Sequence, residues 1–291
     1  MAFSDKVQAK ILADMLATRD RTLLSESEAG LSHLSDLARL TVGALPEGVP
    51  TLTALKRGFD GLPVSPPPRD ALPEHTEALL ALRGAHDRFD RASFARLLAL
   101  HLAQAGRGLT LSDFLPLTEA FETVACASNP YATTAYTELL LDMASPIPCR
   151  DYEEAMTALL LGEADAALLP FRGADGTPIR IFGARMAESE LYITEVVSVT
   201  DRVGTPMDLA LCARRLLPQE ESPTWLLTLR TADVADTLDA LAYLGFTPLT
   251  LTGEDPLLLT VSGGADPIPM LLYFTLFPSS VRVAGYYIQP N

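Results

Sequence analysis

Apolar residues in the N-terminal part of the chain recur at the spacing of amphipathic helices. A first predicted helix repeats apolar positions at i, i+4 spacing: Val7, Ile11, Leu12, Met15 and Leu16. A second, over residues 28–45, has leucines three positions apart from Leu31 to Leu40, and a third is predicted over residues 74–104. Because helical spacing keeps apolar side chains on one face, we expect a helical region over residues 1–121.

Proline interrupts this pattern between residues 46 and 74. The segment holds seven prolines: Pro46, Pro50, Pro63, Pro66, Pro67, Pro68 and Pro73. Proline removes a backbone donor and clashes with the preceding turn, so a long helix or a central strand is excluded here. We predict an irregular, semi-rigid connector with one short helix over residues 52–59.

Residues 123–170 alternate short apolar runs with helical patterns. The predicted order is strand 123–127, helix 135–143, strand 145–149, helix 152–161 and strand 166–170. A β-α-β-α-β order builds a parallel sheet whose ligand sites lie at the carboxyl ends of the strands. Ser128, Thr133 and Thr134 fall where the first strand leads into a helix N-terminus, and the free N–H groups of such a terminus favour a bound anion.

The C-terminal pattern is strand, helix, strand, strand, helix, strand. The predicted elements are strand 225–230, helix 233–244, strands 246–252 and 257–261, helix 267–277 and strand 281–288. This βαββαβ order is that of the ferredoxin-like split arrangement. Upstream of it, residues 178–182 and 191–200 are predicted strands, and residues 208–217 form a further apolar run.

These patterns predict a fold of mixed α/β and α+β class in three parts. Residues 1–121 form the helical region, residues 122–218 a single α/β lobe, and residues 223–291 a ferredoxin-like βαββαβ domain. The polar segment 218–223 between the lobe and the domain is bounded by prolines, which is typical of a linker.

Charge and hydropathy exclude several classes of protein. The 291 residues carry a net charge of −15, which argues against a nucleic-acid partner because such proteins present clustered lysine and arginine. No apolar run approaches the length of a membrane span, about 20 residues. The N-terminus lacks the apolar core of a signal peptide. We therefore expect a cytoplasmic protein with no membrane contact.

The three cysteines carry no sign of a metal site or a disulfide framework. Cys126, Cys149 and Cys212 lie in separate apolar runs without metal-ligand spacing. This pattern indicates small buried side chains. We expect no metal and no cofactor.

Residues 124–134 resemble the opening of the prephenate dehydratase family, a strand followed by G-P-x-G-[TS]-[FY]-S. Pro130 and Thr133 match that motif, whereas Asn129 and Ala132 stand in place of its two glycines. A later pattern of the family runs from an acidic-aromatic pair through a helix, G-x-x-D and an apolar strand to a proline. Here it is matched by Asp151, Tyr152, Gly162, Asp165 and Pro170. With its three parts in this order, the chain resembles the bifunctional P-proteins, which combine chorismate mutase, prephenate dehydratase and an ACT domain. The resemblance implies a lobe of the periplasmic-binding type.

The chain departs from that family at its catalytic motifs. The family's T-R-F reads Thr205, Pro206 and Met207 here. The resemblance implies that Thr205 is the catalytic residue if the chain is active. Only about twenty residues separate Pro170 from the return strand at 191, so we expect that the family's second lobe is missing.

The same resemblance implies ligand-binding residues at the ends of the first and third strands of the lobe. They are Asn129, Thr133, Thr134, Arg172 and Gly173. Serine and threonine also favour helix starts, so a capping or turn role is the alternative for each hydroxyl.

Residues 223–291 resemble the ACT domain in topology. Gly285 and Tyr286 match its glycine-aromatic ending. The resemblance implies that Asp233, Val234 and Glu254 lie at regulatory positions. It also implies that phenylalanine binds at a dimer interface, so we expect a homodimer.

Residues 82–90, LRGAHDRFD, are similar to the L-R-x-x-I-D-x-I-D segment of chorismate mutases. The similarity implies that Arg83 contacts an anionic substrate. An amphipathic helix with a solvated charged face explains the same residues.

Three functions are compatible with the sequence. The first, which we favour, is a prephenate-dehydratase-like protein with eroded catalytic motifs. It binds a small anionic or aromatic metabolite or amino acid, and it is a binding or regulatory protein related to aromatic amino acid (phenylalanine) biosynthesis. The second is an active but divergent prephenate dehydratase or chorismate mutase of the shikimate branch. The third is an assembly protein that dimerises through its helices or sheet edges. The sequence has no G-x-S-x-G, P-loop or H-E-x-x-H motif.

Overall fold

The computed structural model describes residues 28–63, 74–84, 88–139, 144–173, 190–200, 204–219, 223–253, 256–277 and 279–288. Four sequence predictions lie wholly or largely outside these residues: the first helix, most of the proline-rich connector, the strand over 178–182, and Glu254.

Helices form the N-terminal part and flank the strands of the remainder. The helices are α1 (Glu28–Gly43), α2 (Thr51–Asp60), α3 (Glu74–Gly84), α4 (Arg88–Gln104), α5 (Leu111–Phe114), α6 (Pro130–Glu138), α7 (Tyr152–Leu161), α8 (Val234–Tyr243) and α9 (Ile268–Leu276). The strands are β1 (Thr123–Ala127), β2 (Ser145–Cys149), β3 (Ala166–Arg172), β4 (Tyr192–Thr200), β5 (Pro206–Ala213), β6 (Thr224–Leu229), β7 (Phe246–Thr252), β8 (Leu257–Gly263) and β9 (Arg282–Tyr287). They form one sheet in the order β2-β1-β3-β5-β4-β9-β6-β8-β7.

The first five strands form the α/β lobe. β1 pairs in parallel with both β2 and β3, which confirms the predicted parallel arrangement. β5 extends the sheet antiparallel to β3, and β4 follows antiparallel to β5. Successive strand residues point to opposite faces, so Leu168 packs with Ala135 of α6 and Leu169 with Met156 of α7. The lobe therefore has a helix on each face of its sheet.

The last four strands form the ferredoxin-like part. Their order is β9-β6-β8-β7, and every pairing among them is antiparallel. Helices α8 and α9 cover one face, where Leu238 and Met270 belong to one core with Trp225. The Trp225 ring stacks on Tyr286, with 5.1 Å between the centroids. The predicted βαββαβ arrangement is confirmed.

The two parts of the sheet meet between β4 and β9. One parallel register pair, Ile193 with Gly285, joins them. A Cβ atom at Gly285 would overlap the carbonyl oxygen of Ile193, so the close approach of the two backbones requires glycine at this position. The sheet thus continues across the predicted boundary between residues 122–218 and 223–291.

The N-terminal helices pack on the outer side of α8 and α9. Phe94 of α4 is fully buried and lies near Phe59 of α2 and Phe277, with ring centroids 6.2 and 6.3 Å away. The Ser93 hydroxyl donates a 2.6 Å hydrogen bond to the Tyr243 hydroxyl of α8. The helical region therefore shares one core with the ferredoxin-like part.

Two helix predictions differ from the structure. Helix α6 begins at Pro130, before the predicted start at residue 135, because Asn129 caps it and proline is tolerated at the first helical position. The helix predicted over residues 74–104 is described as two helices, α3 and α4.

Within the ranges that the structure describes, no helix has the length and apolar character needed to cross a membrane. The same ranges contain no group of three histidine, cysteine, aspartate or glutamate side chains placed to hold a metal ion.

Candidate ligand-binding site

The carboxyl ends of β1, β2 and β3 lie at one edge of the sheet because the three strands are parallel. β5 begins and β4 ends at the same edge, since each pairs antiparallel with its neighbour. The structure therefore places the predicted residues of the lobe along this edge: Asn129, Thr133, Thr134, Arg172, Gly173 and Thr205. In an open α/β sheet, ligands bind in the crevice at this edge.

Asn129 is the N-cap of α6. Its Oδ1 accepts hydrogen bonds from the Ala132 N–H (3.0 Å) and from the Tyr152 hydroxyl (3.1 Å). Pro130 has no N–H, and the donor of Ala132 is used by the cap, so this helix start has fewer donors for an anion than the sequence suggested. The interaction with Tyr152 joins the ends of β1 and β2.

The two threonines of α6 lie near the start of that helix. The Thr133 hydroxyl is exposed and donates to the Asn129 carbonyl oxygen at 3.0 Å. Thr134 is half-buried one position further along the helix. For Thr133, the contact is that of a residue in the first turn of a helix, which agrees with the capping or turn alternative.

At the N-terminus of α7, nearby side chains accept hydrogen bonds from backbone N–H groups. Asp151 accepts a hydrogen bond from the Glu154 N–H at 2.9 Å, and this contact is the main reason that the pKa of Asp151 lies below its ordinary value. Arg150, with 83% of its side chain exposed, pairs with Asp151 at 3.1 Å. Carboxylates therefore occupy this helix start.

Arg172, at the end of β3, is the best-enclosed cationic group of this edge among the residues described. Its side chain is 15% exposed, and its guanidinium lies 4.6 Å from the centroid of the Phe171 ring. Nη1 lies 3.8 Å from Oδ2 of Asp208, whose other oxygen accepts a 2.6 Å hydrogen bond from Ser198. The ion pair is longer than a hydrogen bond, so Asp208 leaves donors of the guanidinium incompletely used.

The Tyr287 hydroxyl of β9 is buried beside Arg172. It has no well-formed hydrogen bond to another described residue. Burial raises the pKa of Tyr287, and the charge of Arg172 opposes that rise. Thr260 also lies near the hydroxyl and accepts a 2.8 Å hydrogen bond from Thr250. We call Arg172, Ser198, Asp208 and Tyr287 the Arg172 cluster.

Sequence reasoning found Arg172 but missed the rest of the Arg172 cluster. Ser198 and Asp208 are separated by ten positions and face each other only because β4 pairs with β5. Tyr287 of β9 approaches the end of β3 although β5 and β4 lie between these strands in the sheet; its ring centroid is 6.3 Å from that of Phe171. No local pattern marks these three residues, so no sequence signal was available.

The remaining lobe residues lie on either side of this cluster. Gly173 is half-buried directly after β3, and Thr205 is exposed directly before β5. Pro206 forms a register pair with Thr200. Asn129 is hydrogen-bonded to Ala132 and Tyr152, whereas Arg172 is paired with Asp208. The predicted residues therefore form two groups along one edge, one around Asn129 and one around Arg172.

Asp233 and Val234 lie at the start of α8, far along the chain from these groups. The carboxylate of Asp233 accepts hydrogen bonds from the backbone N–H and the hydroxyl of Ser280. Val234 packs partly against the core of the ferredoxin-like part. These contacts connect α8 to the loop before β9.

Arg83 lies near the C-terminus of α3 and contacts the end of α2. Its guanidinium donates to the carbonyl oxygens of Phe59, Leu62 and Pro63, each at 3.2 Å. Cationic donors stabilise the free carbonyls at a helix C-terminus. These contacts favour a structural role for the residue.

No protein-family model matches the sequence, and no curated protein matches it. Solved structures that are similar at low identity include the following three. Prephenate dehydratase from Streptococcus mutans gives a TM-score of 0.46 at 12% identity, over 57% of this chain and 97% of that chain. Prephenate dehydratase from Arthrobacter aurescens in complex with L-Phe gives 0.45 at 12%, over 57% and 90%. GqqA, a novel type of quorum quenching acylase, gives 0.42 at 18%, over 58% and 95%.

Proposed function

We propose that this chain is a prephenate-dehydratase-like protein with eroded catalytic motifs. It binds a small anionic or aromatic metabolite and has a binding or regulatory role in aromatic amino acid biosynthesis. The supporting observation is Arg172, whose side chain is 15% exposed and whose guanidinium lies 3.8 Å from Oδ2 of Asp208. A carboxylate ligand at the carboxyl edge of β3 would take the donors that Asp208 leaves incompletely used.

The surroundings of Arg172 favour an anionic group. A guanidinium held against an aromatic ring is less hydrated and more strongly attracted to a carboxylate than an exposed one. The neighbouring Tyr287 hydroxyl lacks a well-formed bond to a described residue, so it supplies a second donor. A charge-assisted hydrogen bond is roughly twice as strong as a neutral one. The site thus suits one carboxylate with an adjoining ring.

The geometry favours binding over dehydration. Loss of water and carbon dioxide from a dianion needs several preorganised cationic or amide donors and an acid for the leaving hydroxyl. In the described part of the edge, Pro206 stands at the family's arginine position and Thr205 is exposed. The alternative is an active but divergent dehydratase; in that case Thr205→Ala would abolish the turnover of prephenate.

The experiment is a thermal-shift titration with chorismate, prephenate, phenylpyruvate, phenylalanine, tyrosine and tryptophan. A ligand at a hundred times its Kd that binds only the folded state adds about 2.7 kcal/mol of stability. The test variant is the pair Arg172→Gln and Asp208→Asn, which removes both charges and leaves no buried carboxylate unpaired. Arg150→Gln is the matched control, because Arg150 lies at the same edge and is exposed.

We expect at least one carboxylate compound to stabilise the wild type and the Arg150→Gln control. The double variant should need at least about tenfold more of that compound for the same shift. Equal shifts in all three proteins, or no shift with any of the six compounds, would contradict the proposal.

We also propose that the expected homodimer uses β7. This strand lies at one end of the sheet order, and Leu249 within it is 41% exposed. The opposite end, β2, has two prolines in five residues, Pro146 and Pro148, whereas the seven residues of β7 include one, Pro248. Proline lacks the backbone donor that strand pairing needs. Sedimentation of wild type and of a Leu249→Lys variant tests this: the variant should be monomeric, and a monomeric wild type would exclude the dimer.

A further inference from the structure

Three neighbouring strands place Arg172, Asp208 and Ser198 in one row across the sheet. Asp208 of β5 is the register partner of Arg172 on β3 and of Ser198 on β4. Register partners of neighbouring strands point to the same face of a sheet, so the three side chains lie side by side. The Arg172 end of the row is enclosed, with 15% of that side chain exposed, whereas Ser198 is exposed.

A β-bulge sets the direction of Arg172. The strand β3 has one extra residue, Phe171, between Pro170, which pairs with Leu209, and Arg172. Successive residues of a regular strand point to opposite faces, but a bulge re-aims a side chain. Here the guanidinium lies over the Phe171 ring, 4.6 Å from its centroid. The bulge therefore brings a cation and an aromatic ring together at the enclosed end of the row.

The two carboxylate oxygens of Asp208 are used unequally. Oδ1 accepts a 2.6 Å hydrogen bond from the Ser198 hydroxyl, whereas Oδ2 lies 3.8 Å from Nη1 of Arg172. That distance is too long for a hydrogen bond, and no other residue in the described ranges donates to Oδ2. The side chain is only 19% exposed. Oδ2 is therefore an enclosed acceptor that lacks a donor, which is an unfavourable state unless a bound molecule supplies one.

Two donors beside this oxygen lack acceptors. Among the residues described, neither the Arg172 guanidinium nor the Tyr287 hydroxyl makes a well-formed hydrogen bond. Tyr287 is fully buried, and its ring centroid lies 6.3 Å from that of Phe171. The enclosed end of the row thus combines cationic and neutral donors with one free acceptor. This set is complementary to an anionic group that has a single neutral donor next to it.

We propose that the Arg172 cluster binds a 2-hydroxy carboxylate and that Asp208 is the residue that selects the hydroxyl of this ligand. The carboxylate accepts from Arg172 and Tyr287, and the hydroxyl on the adjacent carbon donates to Oδ2 of Asp208. This inference rests on the binding function proposed for the cluster and adds the chemical class of the ligand.

The position of Asp208 discriminates against the related acids. A 2-keto acid has an acceptor where the hydroxyl would be, so its lone pairs face the Asp208 carboxylate and Oδ2 still lacks a donor. A 2-amino acid brings three N–H donors to one free oxygen, and burial of an ammonium group costs more than burial of a hydroxyl. Only the hydroxyl matches one donor to one acceptor.

The test is calorimetric titration of the full chain with mandelate, phenylglyoxylate, 2-phenylglycine and phenylacetate. These acids share a phenyl ring and a carboxylate, and the carbon between them carries a hydroxyl, a keto oxygen, an ammonium group or hydrogen alone. Phenylglyoxylate cannot form an enol, so it supplies no hydroxyl. The test variant is Asp208→Asn. Glu153→Gln is the matched control, because Glu153 is an exposed carboxylate in the first turn of α7, at the same edge of the sheet.

We expect the wild type and the control to bind mandelate at least about tenfold more tightly than each of the other three acids. In Asp208→Asn, the amide oxygen accepts from Ser198 and the amide N–H faces the ligand. Phenylglyoxylate should therefore bind this variant at least as tightly as mandelate does. Circular dichroism checks that the variant is folded, and the ranking of the four acids in the wild type tests the proposal without any variant.

Equal affinities of mandelate and phenylglyoxylate for the wild type would overturn the selection of a hydroxyl by Asp208, as would an unchanged preference for mandelate in Asp208→Asn. Tighter binding of 2-phenylglycine, or no binding of any of the four acids at millimolar concentration, would overturn the ligand class. None of these results contradicts the proposed binding function, which fails separately if the six compounds of its thermal-shift titration give no shift.

Discussion

Gly285 of β9 lies so close to Ile193 of β4 that a Cβ atom on the glycine would be 2.9 Å from the Ile193 Cβ and 3.0 Å from its amide nitrogen. This contact is the register pair that joins the two parts of the nine-stranded sheet. A cleft of about 290 Å³ opens beside it, lined by residues at the start of both strands.

Replacing Gly285 with alanine should therefore destabilise the protein. The added methyl group meets backbone atoms that cannot rotate away, and overpacking of this kind costs about 1–3 kcal/mol or more. Urea denaturation followed by the fluorescence of Trp225, the single tryptophan, measures the loss.

Gly58→Ala is the control for that experiment. Gly58 lies within α2, and beyond its chain neighbours and the backbone of that helix no atom lies within 4 Å of its added Cβ. Alanine is favoured over glycine in a helix by about 1 kcal/mol, so this variant should be slightly more stable than the wild type. A Gly285→Ala protein of wild-type stability would show that β4 and β9 separate at little cost.

Phe94→Ala should destabilise the ferredoxin-like part as well as the helices. Phe94 is fully buried between Phe59 and Phe277, and removal of a buried phenylalanine ring costs about 3–5 kcal/mol. Circular dichroism reports mainly on the helices, whereas Trp225 reports on the ferredoxin-like core. We expect both signals to shift to lower urea by the same amount. A shift confined to circular dichroism would mean that the helical region unfolds independently.

Glu195→Gln should change how stability depends on pH. Burial raises the pKa of Glu195, although the 2.8 Å hydrogen bond from Gln219 partly opposes this. A raised pKa means that the folded state disfavours the ionised form, so the wild type loses stability as the pH rises through that pKa. The variant has no such loss and should melt at a higher temperature than the wild type at pH 7.

Below about pH 3, where the carboxyl group is protonated in both states, the difference between the two melting temperatures should disappear. Glu163→Gln is the control, because Glu163 is exposed. A Glu195→Gln protein that is less stable than the wild type at every pH would contradict the expectation.

The three cysteines should react slowly with a thiol reagent in the native protein. Burial raises the pKa of Cys126 to about 11, and it also raises the pKa values of Cys149 and Cys212. The reactive species is the thiolate, so at pH 8 we expect little reaction until urea exposes all three thiols. One equivalent that reacts within seconds in the native state would contradict this.

Local periodicity was sufficient to predict the order of most elements. The C-terminal pattern gave strand, helix, strand, strand, helix, strand, and the structure has these elements within two residues of the predicted bounds. The start of α6 was misplaced because the run after β1 was interpreted as a turn, whereas Asn129 and Pro130 begin the helix. Capping by Asn129 was the competing effect.

The candidate site was predicted in part. Residues that directly follow β1 and β3 were identified because strand ends in a parallel sheet share an edge. Asp208, Ser198 and Tyr287 were not identified, since their approach to Arg172 depends on the order of strands in the whole sheet.

The sequence by itself determined the helical region, the strand-helix alternation of the lobe and the ferredoxin-like order, because each is encoded in the spacing of apolar residues along a short segment. The tertiary structure decided the contact of Gly285 with Ile193, the burial of Phe94 against Phe277 and the surroundings of Arg172. These arise between segments that are distant in the chain, and their geometry depends on packing of the complete core.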